Sequence, residues 1–381
     1  MMQYHQKVRD NLLVRLKFSC LKAWMSRLAG KGSAGRSQAD HAKMTRIALW
    51  QFGGVGDMLL STPAILALQK AFPDAKLHVW CSDPQFAGFL KRFQSVQGVD
   101  SFNVYDFDSR TLLHGGKRRT LRGIGDAMAE QKPDMLVNLH IPALLDWWAV
   151  EWWLIRRLAP KFSLGFNPSF IHERTVFDVS LNAAERDGTH YTRLYRCLLE
   201  KAGIPCGEAA HFPVTDEEKA HARFLLTESA PDGKWVCMHL GARRLKVEGK
   251  TWPSERFVAL AEKLLRAGFL PVLIGVEGER ELADGLCAGL PQCANLVGRT
   301  RLGEMAALIA QCDGFIGHDS GPFHVAAAVG TPCVAICGRP DAEAEYLDYR
   351  RNDVNVLTAD FPWKIEVNDV FEAAVRMLKH G

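Results

Sequence analysis

Three stretches of this 381-residue chain carry residues whose types and order could do chemistry. The first is Gly53-Gly54-Val55-Gly56-Asp57, placed after an apolar run and before a helical one. Glycines let a ligand approach the backbone closely, and a helix N-terminus favours an anion or a polarised oxygen. Asp57 either caps that helix through its carboxylate or acts as a general base. The second is His239-Leu240-Gly241-Ala242, followed by Lys250-Thr251-Trp252-Pro253. Lys250 can meet a phosphate as a point charge, or it is one cation of a solvated loop. Arg243, Arg244 and Lys246 in the same loop suit an anionic ligand. The third is Gly317-His318-Asp319-Ser320-Gly321-Pro322-Phe323-His324. Here Asp-Ser-Gly makes a turn and Pro322 opens a helix, as proline favours the first helical position. The Ser320 and Gly321 N–H groups and the helix end can cradle a phosphate, and Asp319 can accept hydrogen bonds from sugar hydroxyls. His324 reads equally as a core-facing histidine or a ligand contact.

Each stretch needs a strand to end before it and a helix to start after it. The pattern predicts strands over 47–50, 77–81 and 135–139, with helices over 58–72 and 190–202. Gly203 stands at the second helix's end as a C-terminal cap. A second series has strands over 235–240, 270–274, 314–316 and 333–336. Its helices run over 254–267, 301–311 and 322–329, with Gly268 as a cap. Such alternation implies right-handed βαβ units and parallel sheets covered on both faces. The two series meet near 212–234. The expected organisation is therefore a basic extension at 1–43, a Rossmann-like domain at 44–212 and a second at 213–381. Ligands of such sheets bind beyond the carboxyl ends of the strands, so the sheets are expected to face a central cleft.

Composition narrows the classes. Hydrophobic residues make up 48% and charged residues 24%, ordinary for a globular chain and unlike a disordered one. No run of about 18 uncharged apolar residues is present, which excludes an apolar membrane-spanning helix. The ten cysteines form no C-x-x-C pair, so zinc ribbons and thioredoxin-like chemistry lack support, and reduced thiols are expected. Net charge is +4, but residues 1–46 alone hold ten Lys/Arg against two Asp, a net +8. The body is net negative, which argues against nucleic acid as a partner. Val14, Phe18, Leu21, Met25 and Leu28 form one helical stripe beside Arg15, Lys17, Lys22 and Arg27, and residues 30–42 read as a flexible linker. A basic amphipathic helix suits an anionic membrane surface. Equally, Met44 directly before the first strand fits a later gene start.

Taken in order, Gly-Gly-Val-Gly-Asp with Ser61-Thr62-Pro63-Ala64, His-Leu-Gly-Ala with Lys-Thr-Trp-Pro-Ser-Glu-Arg-Phe, and His-Asp-Ser-Gly-Pro-Phe-His resemble glycosyltransferase family 9. That family contains the ADP-heptose:lipopolysaccharide heptosyltransferases. The resemblance runs from about Met44 to Gly381. It implies the GT-B fold and inverting transfer of a heptose-type sugar from ADP-heptose to a lipid A-linked lipopolysaccharide-core acceptor, with no cofactor and no metal. It makes Asp57 the general base and Lys250 the diphosphate contact. Glu279, four residues after Gly275, matches the acid that holds the donor ribose, and Thr300 falls near the adenine pocket. Asp319, Ser320, Gly321 and His324 match the donor-sugar and diphosphate loop. There are departures: His318 replaces Asn or Val, Gly338-Arg339-Pro340-Asp341 replaces a Gly-Pro-Thr-Asp-like turn, and Arg243–Gly249 is long and charged. They bear on the donor sugar more than on the reaction type.

The acceptor is expected on the N-terminal domain, against Gly56 and the basic run Lys117, Arg118, Arg119 and Arg122, which suits an anionic glycolipid. A solvated helix start explains the same run. Trp147, Trp148, Trp152 and Trp153 with Arg156 and Arg157 read as a membrane interface or as a helix packing its indoles in a core. The expected location is cytoplasmic, peripheral to the inner membrane. Three alternatives stand beside this one. One is a transferase of the same fold using another nucleotide sugar. Another is a non-catalytic sugar-binding protein. The last is an NAD(P)-dependent oxidoreductase, for which Asp83 could hold a ribose; Leu59 stands where the third small residue of its glycine motif belongs.

Overall fold

Arg46–Gln51 (β1) is an apolar run buried from its second residue onward, the pattern of a strand covered on both faces. In the computed structural model it sits at the centre of a parallel sheet. The structure describes residues 19–21, 23–25, 30–31, 44–112, 115–142, 145–168, 174–182, 189–229, 232–241, 251–338, 349 and 352–380. They fall into two compact units. One holds the described residues up to Gly54, those of Pro63–Asp187, and Thr192–Glu208. The other holds Val55–Thr62 and the described residues of Gly188–Tyr191 and Ala209–Gly381.

The first unit adds Lys76–Cys81 (β2), Val96–Ser101 (β3), Met135–Asn138 (β4), Phe162–Asn167 (β5) and Val179–Asn182 (β6). The strands lie in the order β3-β2-β1-β4-β5-β6, every pairing parallel. The second unit repeats this plan with Lys234–His239 (β7), Phe269–Ile274 (β8), Ala294–Asn295 (β9), Gly314–His318 (β10), Cys333–Cys337 (β11) and Val354–Thr358 (β12). Their order is β9-β8-β7-β10-β11-β12, again all parallel. This is the doubly wound Rossmann order, twice. In each sheet the winding reverses next to the first strand, between β1 and β4 and between β7 and β10, where such sheets bind ligands.

The main helices are Val55–Leu60 (α1), Thr62–Ala71 (α2), Gly115–Glu130 (α3), Leu145–Leu158 (α4), Tyr191–Lys201 (α5), Asp216–Ser229 (α6), Ser254–Arg266 (α7), Arg280–Cys287 (α8), Leu302–Ile309 (α9), Gly321–Val329 (α10) and Val367–His380 (α11). Gly203 (φ +78°) and Gly268 (φ +83°) follow α5 and α7 in the left-handed conformation that glycine adopts at no steric cost, as their positions implied. The single helix expected over 58–72 is two helices. Pro63 has no N–H to give the Leu59 carbonyl, and the Thr62 hydroxyl takes that bond at 2.7 Å.

Asp134 ties down the start of the first sheet. Its carboxylate accepts from Thr45 N, Thr45 Oγ1 and Arg46 N at 2.9–3.0 Å and pairs with Lys161 at 2.8 Å. Burial acts to raise its pKa, but Lys161 and these hydrogen bonds outweigh it and hold the group far below the usual carboxylate range. The core of the second unit packs α7 and α11 on the sheet through Val236, Met238, Trp252, Phe257, Leu264 and Met377. Fully burying side chains of this kind contributes about 1.5–3 kcal/mol each.

On α4, Trp148 and Trp152 are buried, which is the core-packing reading of that stretch; Trp147 and Trp153 are half-buried. Among the described residues no helix is long and apolar enough to cross a membrane. Of the basic N-terminal stripe, Leu21 and Met25 are described; both are helical and Met25 is buried. Val14, Phe18 and Leu28 lie outside the described residues, as do residues 32–42. The linker expected from Gly30 begins instead with a strand pairing, Gly30–Lys31 antiparallel to Arg174–Thr175.

Candidate active site

The polar residues of the second unit gather where β7 and β10 end. β7 delivers His239, and the chain turns at Gly241; β10 delivers His318 and leads through Asp319 into Ser320, the N-cap of α10. Glu279 comes from the turn Glu277–Glu279 after β8, whose end pairs in register with His239.

Two glycines make room for Glu279. A Cβ on Gly241 would lie 1.5 Å from Glu279 Oε1, and one on Gly275 would lie 2.2 Å from Oε2. The carboxylate thus occupies a slot that no larger residue at 241 or 275 would leave open. The Val276 N–H donates to Oε2 at 3.0 Å, and His239 Nε2 lies 3.4 Å from the same oxygen. Burial acts to raise the Glu279 pKa. The hydrogen bond and charge of His239, with the Val276 N–H, outweigh it and hold Glu279 below the ordinary glutamate value. The group is therefore an anion at neutral pH, an acceptor suited to two vicinal hydroxyls.

His239 reaches the other way too. Its Nδ1 lies 3.3 Å from Ser320 Oγ, which also reaches the His318 carbonyl at 3.2 Å. Glu279, His239 and Ser320 form one hydrogen-bonded chain from the β8 end to the α10 N-terminus. His318 closes the base of the site. The Trp252 N–H donates to His318 Nε2 at 2.8 Å, so Nδ1 carries the proton and donates to the Gly241 carbonyl at 3.2 Å. Burial, with the nearby His239, pushes the His318 pKa down to about 4, and the ring is neutral. Trp252 is itself fixed: its Nε1 donates to the Ile365 carbonyl at 2.8 Å and its ring meets Phe257 edge-on.

Helix α1 packs on α10 within the same unit. A Cβ on Gly56 would lie 2.4 Å from His324 Cδ2, and a Cβ on Gly321 would lie 2.3 Å from Val55 Cγ1. The two glycines let the helices touch, and His324 faces Gly56. His324 is buried; its Nδ1 lies 2.7 Å from the Tyr349 hydroxyl. Burial, and next the neighbouring His190, push its pKa down to about 3. Its 3.9 Å approach to Asp319 is accordingly a contact of a neutral ring with a carboxylate, not an ion pair. Asp57 stands in the first turn of α1, one residue beyond Gly56, and is half-buried.

The sequence-derived residues therefore separate into groups. Glu279, Ser320, Gly321, Asp319, His324, Gly56 and Asp57 lie on elements of the second unit that are joined by the contacts above. Thr300 is half-buried just before α9. Lys117, Arg118, Arg119 and Arg122 are exposed on the first turns of α3 in the first unit, with the Lys117 ammonium on the Asp106 carbonyl at 2.8 Å. Lys250 lies outside the described residues, as do Arg243–Gly249 and the 339–341 part of the departing turn. Among the described residues, no group of three or more His, Cys, Asp or Glu side chains could hold a metal ion. Sequence reasoning gave no role to His239 or Tyr349, and took His318 only as a departure. For His239 and His318 the signal was present: each is a histidine ending an apolar strand before a glycine-bearing turn.

The fold and the sequence agree on the class. Residues 152–368 match Glycosyltransferase family 9 (heptosyltransferase). The chain belongs to this family and is a glycosyltransferase with two Rossmann-type units, the GT-B class. It is 26% identical over 298 residues to lipopolysaccharide heptosyltransferase 3 of Escherichia coli, covering 75% of this chain and 80% of that one. Its fold is similar to that of a family 9 glycosyl transferase from Veillonella parvula, with a TM-score of 0.72, 20% identity, and coverage of 93% of this chain and 100% of the other. It is similar as well to E. coli heptosyltransferase WaaC, solved with ADP, at TM-score 0.65 and 19% identity, over 87% of this chain and 100% of that one.

Proposed function

We propose that the enzyme transfers a heptose-type sugar from ADP-heptose to a lipopolysaccharide-core acceptor, with inversion and without a divalent metal. The observation that carries the donor side is the Glu279 carboxylate, seated in a glycine-made slot at the switch point and linked through His239 to the N-terminus of α10. In this reading Glu279 accepts from the ribose hydroxyls, and Thr300 borders the adenine. The Ser320 and Gly321 N–H groups and Lys250 take the diphosphate; Asp319 and His324 contact the donor sugar. A nine-residue helix directed at a diphosphate favours its negative charge.

Asp57 then removes the proton of an acceptor hydroxyl. That oxygen attacks the anomeric carbon as the bond to the diphosphate breaks and ADP leaves with the electron pair. Charge accumulating on ADP is stabilised by Lys250 and the α10 N-terminus. The acceptor is an anionic glycolipid, met by the exposed Lys117, Arg118, Arg119 and Arg122, and the enzyme works at the cytoplasmic face of the inner membrane. Support comes from family membership, from the name of the E. coli relative and from the chemistry of these side chains. The test is Asp57→Ala. A positioned base contributes about 10²–10⁴-fold, so kcat should fall by that factor while ADP affinity stays within about twofold. A folded variant with wild-type kcat would leave Asp57 as a helix cap only.

A further inference from the structure

The first unit has its own switch point, between β1 and β4, and a second buried carboxylate–histidine pair stands there. Glu151 on α4 is fully buried. Asn138, the last residue of β4, donates its side-chain amide to Glu151 Oε2 at 2.9 Å; its own carbonyl oxygen accepts the His140 N–H at 3.0 Å, which fixes the amide's orientation. His140 Nδ1 hydrogen-bonds Glu151 Oε1, and His140 Nε2 lies 3.0 Å from the Tyr105 hydroxyl. Tyr105 is 41% exposed, so the chain of groups runs from a buried carboxylate to the surface. The half-buried Trp147 meets the Tyr105 ring edge-on at 4.6 Å, and Phe52, just past β1, backs the His140 ring at 5.7 Å.

Burying a carboxylate is costly, and a leucine of similar volume would pack α4 more simply. What the arrangement adds is control of the hydroxyl of one surface residue. Glu151 accepts from both Asn138 and His140, so the imidazole proton sits on Nδ1. Nε2, 3.0 Å from the Tyr105 oxygen, is then left to take the Tyr105 O–H. The phenol proton is thereby directed inward, and toward the outside the Tyr105 oxygen is a hydrogen-bond acceptor only. Beside it, the Tyr105 and Trp147 rings form an aromatic corner. An acceptor oxygen next to aromatic rings suits a saccharide, which offers hydroxyl donors and an apolar face of C–H bonds to the electron-rich ring faces.

We infer that Tyr105 and Trp147, set by Glu151 through His140, form a saccharide-binding subsite on the first unit, which holds a sugar ring of the acceptor. This rests on the proposed glycan-transfer reading and assigns acceptor recognition to residues other than the basic run of α3. Glu151 and His140 are positioning residues in it. Glu151→Gln tests the direction of the chain. Asn138 keeps the Gln carbonyl on its own side, so the Gln amide donates to His140 Nδ1. The ring proton moves to Nε2, and the Tyr105 O–H turns outward, with hardly an atom displaced.

The probe is a deacylated lipopolysaccharide-core oligosaccharide, titrated by calorimetry and by saturation-transfer NMR, with ADP as the control ligand and a set of neutral methyl glycosides as a second probe. Tyr105→Phe, which removes the hydroxyl oxygen, should weaken oligosaccharide binding about fivefold. Glu151→Gln should weaken it comparably, and Trp147→Ala roughly threefold to tenfold. ADP affinity of Tyr105→Phe should not change. Oligosaccharide binding by Tyr105→Phe and Trp147→Ala equal to wild type, with Glu151→Gln also unchanged, overturns the subsite and leaves the transfer reading intact. If wild type binds the methyl glycosides through Tyr105 but not the core oligosaccharide, a saccharide site stands and the acceptor reading falls. If wild type binds neither probe, the subsite falls with it.

Discussion

Gly241→Ala puts the donor site under direct strain. An added Cβ would sit 1.5 Å from Glu279 Oε1 and 2.3 Å from Cδ, where ordinary contacts begin near 3.4 Å. Gly241 is backbone anchored, its carbonyl accepting from His318, so the carboxylate must yield. It has to retreat by about 1.5–2 Å, more than a hydrogen bond tolerates. The Val276 N–H contact at 3.0 Å and the His239 contact at 3.4 Å are lost together, and so is the position from which Glu279 would meet a ribose. A hydrogen bond to a charged group is worth about 1.5–3 kcal/mol. ADP should therefore bind roughly 10- to 150-fold more weakly. Calorimetric titration with ADP reads this directly, with 2′,3′-dideoxy-ADP as the companion ligand. The variant should bind the dideoxy nucleotide about as well as wild type does, because neither combination has a ribose contact to lose. A folded Gly241→Ala protein that binds ADP within twofold of wild type would refute the slot as a ribose site.

Three further outcomes test the proposed site. Lys250→Ala should weaken ADP by the loss of one charged hydrogen bond, about 1.5–3 kcal/mol, and unchanged calorimetric affinity would remove Lys250 from the diphosphate. His318, pushed from 6.5 to about 4 by burial, binds its proton more readily in the unfolded chain, so its stabilising contribution is complete above pH 6.5 and drains away as pH falls toward 4. Urea titrations should give His318→Asn a stability–pH slope between pH 6 and 4.5 that is shallower than wild type by up to about 1.4 kcal/mol per pH unit, and parallel slopes would contradict the neutral-ring assignment. Transfer should persist in EDTA; activity lost to the chelator and restored by Mg²⁺ or Mn²⁺ would replace the proposed charge stabilisation by Lys250 and α10 with a metal.

The central strands were legible because burial on both faces makes them continuous apolar runs, as in Ile47–Trp50 or Cys333–Ile336. The edge strands were not. Val354–Thr358 is half-buried throughout, and Val96–Ser101 carries Gln97, Gly98 and Asp100, so neither shows the run that marks a covered strand. The break at Ser61–Thr62 was written in Pro63 but masked by the apolar periodicity continuing on both sides. Candidate residues carried by a glycine-rich turn stood out by type and spacing. His239, His318, His140 and Glu151 were harder, because each sits inside or next to an apolar run where a polar residue looks incidental. Their partners lie 40, 66, 35 and 13 residues away along the chain, in Glu279, Trp252, Tyr105 and Asn138, and only the folded sheet brings them within hydrogen-bond reach.

The most direct measurement is transfer itself. The purified full-length chain should be incubated with ADP-heptose and a deacylated lipopolysaccharide-core oligosaccharide, with ADP release followed continuously and the product examined by mass spectrometry and NMR. One heptose should be added per ADP released, with the anomeric configuration inverted relative to the donor, and other nucleotide sugars should serve far less well. Heptose transferred with retained configuration, efficient transfer from a different nucleotide sugar only, or ADP-heptose bound tightly with no transfer to any core oligosaccharide would contradict the proposed reaction.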